Sequence, residues 1–199
     1  MTSSTATITI RFLDWWHAGT GQSGEGDADM IAHRDSFGCP AMPMTQIKGI
    51  LRETAEKLGV LTENEVVEFF GEKSVPVVTV DAKGSGIAFT GDAMLTPEER
   101  AWFGHATNHG ARGQLFGWLS STAINEKTGA AKRDSLRSIE TCVPVTLSQK
   151  IDWIRGNPPQ GWIDKLDQLC ALSPAFGKHA HDGLGRAIAC CVAVKESAA

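Results

Sequence analysis

Tyrosine is absent from the 199 residues, although six tryptophans and eight phenylalanines are present. Few platforms for stacking a nucleobase are therefore on offer. No apolar run approaches the roughly 18 residues that a helix needs to cross a bilayer, so no membrane association is expected. The opening residues MTSSTATITI hold no basic cluster ahead of an apolar core, so no signal peptide is expected and a cytoplasmic location is. The five cysteines (Cys39, Cys142, Cys170, Cys190, Cys191) are odd in number and form no C-x-x-C pair. That pattern fits reduced thiols better than a disulfide framework or a zinc site. No His/Cys/Asp spacing points to a tight metal cage, and no tightly bound cofactor is expected. An excess of positive charge is missing too, the net charge being −4. A nucleic acid would have to be held by local patches and not by the field of the whole protein.

The charge is unevenly spread. Residues 1–94 hold 7 Lys+Arg against 13 Asp+Glu, and residues 95–199 hold 12 against 10. Composition is otherwise that of a globular protein, with 42% hydrophobic and 21% charged residues, and the length suits one domain or two small ones.

The longest irregular connection runs from Trp15 into a helix carrying Lys48 and Arg52. Such a loop in a compact domain usually has a task. Lys48 and Arg52 are four apart and share one helix face. Close to a helix N-terminus their charges repel the backbone dipole, and a phosphate meeting backbone N–H groups and both side chains would relieve that. A plain solvated helix face is the competing reading.

Along the chain, Thr5–Phe12 alternates as a half-buried strand. A helix starts at Thr45 as N-cap, with Ile47, Ile50, Leu51, Thr54, Ala55 and Leu58 on one face, and ends at Gly59. A second helix spans Thr62–Phe70. Ser74–Val80 and Ser85–Thr90 read as strands, and Thr96-Pro97-Glu98-Glu99 starts a short helix. Gly104–Gln114 reads as a mobile loop. Leu115–Ile124 and Ile139–Ile154 are strand material, and Trp162–Leu172 is an amphipathic helix. Ala187–Val194 is a continuous apolar run, expected as a central strand. This order predicts an α+β, ferredoxin-like sandwich. Of the adjacent Trp15 and Trp16, one should be core and the other available for a base or a neighbouring subunit.

Four blocks resemble a known family. They are His17-Ala18-Gly19-Thr20-Gly21 after the first strand; Arg34-Asp35, Gly38, Pro40 and Pro43 leading to Ile47-Lys48-Gly49-Ile50-Leu51-Arg52; Ser121–Ile124 with Thr128-Gly129, Ala131, Leu136-Arg137 and Glu140; and Gly183-Leu184-Gly185-Arg186 before the last strand. The chain resembles the RAMP superfamily, the RNA-binding subunits of class 1 CRISPR effector complexes, and within it the type III branch. One departure is Met44, where the family's pattern has glycine. The resemblance implies a single RAMP domain over 1–199, a modified ferredoxin-like (RRM-like) fold, with loop insertions at about 17–44, 104–114 and 122–140.

It implies further that the chain is a backbone or 5′-handle cap subunit. Its partners would be CRISPR RNA, target RNA or DNA, and other RAMP subunits. On RNA it places His17, Gly19, Gly21, Arg34, Lys48, Gly49, Arg52, Lys178, His179, Gly183, Gly185 and Arg186. Lys132, Arg133 and Arg137 would serve a β-hairpin thumb at Thr122–Glu140, for which a solvated basic loop is the alternative. In the family's backbone subunits an aspartate cleaves target RNA with a divalent metal, and the matching position is Asp29. Mg²⁺ enters the expectation only if Asp29 is catalytic. A third reading is a processing endonuclease with His17 as general base. Asp27 accompanies Asp29 in the loop, and His181 joins His179 beside the C-terminal glycines.

Overall fold

The computed structural model describes residues 3–19, 30–72, 84–122, 124, 127–131, 135 and 137–194. Thr20, Gly21, Asp27, Asp29, Lys132, Arg133 and the expected strand Ser74–Val80 lie outside the described residues.

Alternation in β1 (Thr5–Phe12) buries Ala6, Ile8, Ile10 and Phe12 on one face. The strand pairs antiparallel on both sides, with β5 (Thr146–Trp153) and with β6 (Ala187–Ala193). The short β2 (Ile87–Phe89) extends the sheet beyond β5, giving the order β2-β5-β1-β6. Helix α1 (Met44–Leu58) follows β1 and α5 (Trp162–Leu172) follows β5, so the frame is the βαββαβ of a ferredoxin-like fold. Ile47, Leu51 and Ala55 of α1, Phe69 and Phe70 of α2 (Glu63–Phe70) and Trp162, Leu166, Leu169 and Cys170 of α5 fill the core against that face. The opposite face is open: Thr7 and Thr9 are half-buried, and Arg11, Lys150, Ile188 and Val192 are exposed.

Four expectations change. Strand β6 is an edge strand, and Ile188 and Val192 are each 54% exposed. Its apolar run reflects one covered face, with Ala189 and Cys191 buried, and not two. The stretch Ile139–Ile154 is broken at Val143-Pro144-Val145 into β4 (Arg137–Cys142) and β5, because Pro144 has no N–H for a ladder. Strand β4 leaves the main sheet to form a ribbon with β3 (Phe116–Ser121).

The third change is at Gly104–Gln114. After α3 (Pro97–Gly104), which starts where expected and is opened by a capping box of Thr96 and Glu99, comes a 3₁₀ turn over Ala106–Asn108 and α4 (His109–Gly113). Asn108 Nδ2 donates to the Trp102 carbonyl at 2.8 Å, and Arg112 donates to the carbonyls of Phe37 and Phe103 at 3.1 and 3.3 Å. These ties order a segment whose composition reads as loop. Fourth, Thr45 does not cap α1. The N-cap is Pro43, and the Met44 N–H donates to the Asp92 carboxylate at 3.1 Å. Gly59 ends the helix in the left-handed conformation, as expected.

Candidate nucleic-acid interface

The loop leaving β1 and the glycine-rich loop entering β6 are joined by backbone hydrogen bonds. Lys178 N–H donates to the His17 carbonyl, Gly185 N–H to Trp15, and Leu13 N–H to Arg186, each at 2.8 Å. Such closeness requires glycine. A Cβ on Gly177 would lie 2.6 Å from the His17 carbonyl oxygen, and one on Gly185 would lie 2.2 Å from that of Phe176. Both take positive φ, which L side chains rarely adopt. The N–H groups of Gly183 and Gly185 are both engaged within the chain. Gly185 N–H is engaged by Trp15, and Gly183 N–H donates to Ala180 at 3.2 Å.

His17 sits at the junction, with no exposed surface. Its Nδ1 is 2.7 Å from the Glu140 carbonyl. A carbonyl only accepts, so Nδ1 carries the proton and Nε2 presents a lone pair. That Nε2 is buried and has no partner among the described residues. Burial, the largest influence, pushes the His17 pKa down, which keeps the ring neutral at pH 7. Gly19 and Lys178 lie over it: a Cβ on Gly19 would come within 2.7 Å of His17 Nε2 and 3.4 Å of Lys178 Nζ. Gln46 of α1 donates to the Gly19 carbonyl at 3.3 Å, which holds the start of that helix against the same loop.

Around this junction the surface carries both cations and carboxylates. Lys178 is exposed, and the His179 ring lies 6.0 Å from that of His17. Arg186 is 67% exposed while paired with Asp14 at 2.8 Å. His179 Nδ1 lies 2.9 Å from Asp182, and His181 Nε2 lies 3.7 Å from it. His179, His181 and Asp182 are the one trio of metal-capable donors gathered among the described residues. They occupy a single surface turn in which His179 and Asp182 already satisfy each other.

The other expected contacts are distributed elsewhere. Arg34 donates twice to Glu140, at 2.9 and 2.7 Å, and its guanidinium lies 3.9 Å above the Phe116 ring. It braces the loop against the β3–β4 ribbon instead of reaching open surface. Arg137 is exposed at the start of β4, opposite Ser121. The start of α1 is met from within the chain. The anion at the start of α1 is the chain's own Asp92, whose other oxygen is 2.7 Å from His33 Nε2. Lys48 lies in the second turn and Arg52 a turn further on, beyond the reach of the terminal dipole. Arg52 pairs with Glu56 at 2.9 Å. Burial and the neighbouring Arg52 both lower the Lys48 pKa, and no carboxylate pairs with Lys48 among the described residues.

Arg52 and Glu56 line a groove between α1 and α2 together with Leu61 and Val66. Ile50, Thr54 and Lys57, on the opposite flank, meet Ala175, Gly177 and Ala180. Arg52 thus lines a different groove from the one lined by Gly177 and Ala180. Gly49 lies inside α1, exposed, where an added Cβ would meet nothing within 4 Å. The tryptophan pair divides as expected. Trp16 is fully buried, stacked on Phe12 at 4.3 Å, and Trp15 is 45% exposed against Gly117.

Two residues that hold this region together had no role in the sequence reading. Glu140 stands in the third motif block, but its anchoring of Arg34 and Ala32 is visible only in three dimensions. Asp92 carries no local signal at all, since the helix it caps begins 48 residues earlier in the chain.

The sequence matches no protein-family model and no curated protein. Solved structures do match. One is a chain of the type III-B Cmr-beta complex bound to cognate target RNA, at a TM-score of 0.70 and 11% identity over 94% of this chain and 96% of that one. The apo state of Cmr-beta gives 0.69 and 10% over 93% and 96%. A chain of a type IV-B CRISPR complex gives 0.62 and 14% over 98% and 93%. The chain has the fold of these CRISPR-complex chains.

Proposed function

We propose that the chain is an RNA-binding subunit of a multi-subunit, RNA-guided effector complex in antiviral defence, holding CRISPR RNA in a backbone or cap position. The observation that carries this is the near-complete coverage, in both directions, of a chain from an RNA-bound Cmr-beta complex. The exposed cations Lys178 and Arg186 on the loop entering β6 support it. They meet the phosphate backbone from a loop fixed to β1.

Fluorescence anisotropy of the full chain with single-stranded RNA tests the reading. Binding should weaken steeply with added salt, and a Lys178→Ala/Arg186→Ala double variant should bind several-fold more weakly. Absence of RNA binding, or equal affinity in the double variant, would overturn it. A Lys48→Ala/Arg52→Ala variant asks whether the strand also crosses α1, and unchanged affinity would remove that helix from the path. Target-RNA cleavage by the assembled complex that needs Mg²⁺ and vanishes in Asp29→Ala would replace the binding role with an enzymatic one.

A further inference from the structure

His17 presents one feature that the fold itself does not use. Its Nδ1 proton is fixed on the Glu140 carbonyl, so its Nε2 must be an acceptor, and no donor meets that atom among the described residues. A buried acceptor without a partner is uncommon in a native fold and calls for a cause. Its surroundings narrow the candidates. Over Nε2 lie Gly19, which has no side chain, and the amine of the exposed Lys178. The long, exposed Lys178 side chain can turn outward onto a phosphate beside this lone pair.

What then arrives at Nε2 has to donate a proton. A phosphodiester has none to give, so the phosphate belongs with Lys178 and the ring belongs with the adjoining sugar. The ribose 2′-hydroxyl is a donor that lies beside the phosphate on an RNA strand, and DNA lacks it. We infer that His17 Nε2 accepts a hydrogen bond from a ribose 2′-hydroxyl, making His17 a residue that selects RNA over DNA. The inference rests on the RNA-binding reading above. Gly19 fits this role, because any Cβ there would stand 2.7 Å from Nε2 and close the approach.

Two comparisons test it. First, the wild-type chain is titrated with one sequence as RNA, as 2′-fluoro RNA and as DNA. The fluoro sugar retains an RNA-like shape but donates nothing. RNA should bind about tenfold more tightly than either, the worth of one ordinary hydrogen bond. Second, His17→Asn keeps a side-chain N–H near the Nδ1 position for Glu140 and removes the acceptor. It should erase the preference, lowering RNA affinity about tenfold and DNA affinity less than twofold. Base amines are donors that DNA also carries, so contact with a base would leave RNA and DNA equal. Equal binding of the three oligonucleotides by the wild type, or a preference that survives in a folded His17→Asn chain, overturns the inference and leaves RNA binding standing. If RNA does not bind at all, both fall. The wild-type comparison decides the matter even if the variant misfolds.

Discussion

Glycine at position 49 weakens α1 with no return inside the chain, and replacing it separates helix stability from RNA contact. The residue is the sixth of fifteen in the helix, and an added Cβ would project into open space. Alanine at an exposed helix interior is favoured over glycine by about 0.5–1 kcal/mol, through the backbone freedom lost on folding. For a chain of this size, 1 kcal/mol moves the melting midpoint by about 2–4 °C. Gly49→Ala should therefore raise the midpoint by ~1–4 °C, read by circular dichroism without RNA.

If an RNA strand passes against the Gly49 Cα, the new methyl intrudes on it, and overpacking of that kind costs about 1–3 kcal/mol. The affinity should then fall roughly 5- to 100-fold. A higher midpoint with unchanged RNA affinity would refute contact at Gly49. An unchanged or lower midpoint would refute the claim that the methyl is unopposed.

Other perturbations address the supports of the site. Removing the remote cap in Asp92→Ala should cost about 0.5–2 kcal/mol, measured as a lower urea midpoint, whereas Thr45→Ala should cost little because Thr45 is not the cap. Arg34→Ala leaves Glu140 buried without its guanidinium, and breaking such a pair costs about 3–5 kcal/mol. Loss of the cooperative melt at growth temperature is the expected result, and a mild shift would mean that water replaces the arginine. Glu65 is held at about 2 by its hydrogen bonds to Lys165 and to Thr62. Its folded pKa is depressed, so its contribution is complete above the usual carboxylate range and is lost as pH falls toward about 2. Glu65→Gln should flatten the fall in melting midpoint between about pH 5 and pH 2; an unaltered slope would contradict the pairing. Finally, only Cys190 among the five cysteines is exposed, while burial pushes the Cys191 thiol up to about 12. One thiol should react rapidly with Ellman's reagent in the native chain, and none would if β6 were covered on both faces.

The parts of the fold that were legible in the sequence are those in which local pattern and tertiary burial agree. Thr5–Phe12 alternates and is buried by alternation; Trp162–Leu172 has the helical period and its apolar side faces the sheet. Thr62 and Thr96 cap their helices with the glutamate three residues on, a signal complete within four positions. Position in the sheet was not legible in the same way. Ala187–Val194 is apolar at every residue, which fits a strand covered on both faces, yet only Ala187, Ala189 and Cys191, on its inner face, are buried. Nothing in eight consecutive apolar residues records which neighbours a strand will have.

The candidate site shows the same division more sharply. Side-chain type was readable: histidine, lysine and glycine in short motifs do come together where the loop after β1 meets the loop before β6. Role was not, because role depends on partners distant in the chain. Arg34 and Lys178 are equally charged in sequence, but Arg34 meets Glu140 across 106 positions while Lys178 remains exposed. His17 is the clearest case. Its motif marks it as important, and chemistry leaves its ring able to act as a base, a ligand or a hydrogen-bond acceptor. A single carbonyl 123 positions away fixes the proton on Nδ1 and so determines that whatever meets Nε2 must be a donor.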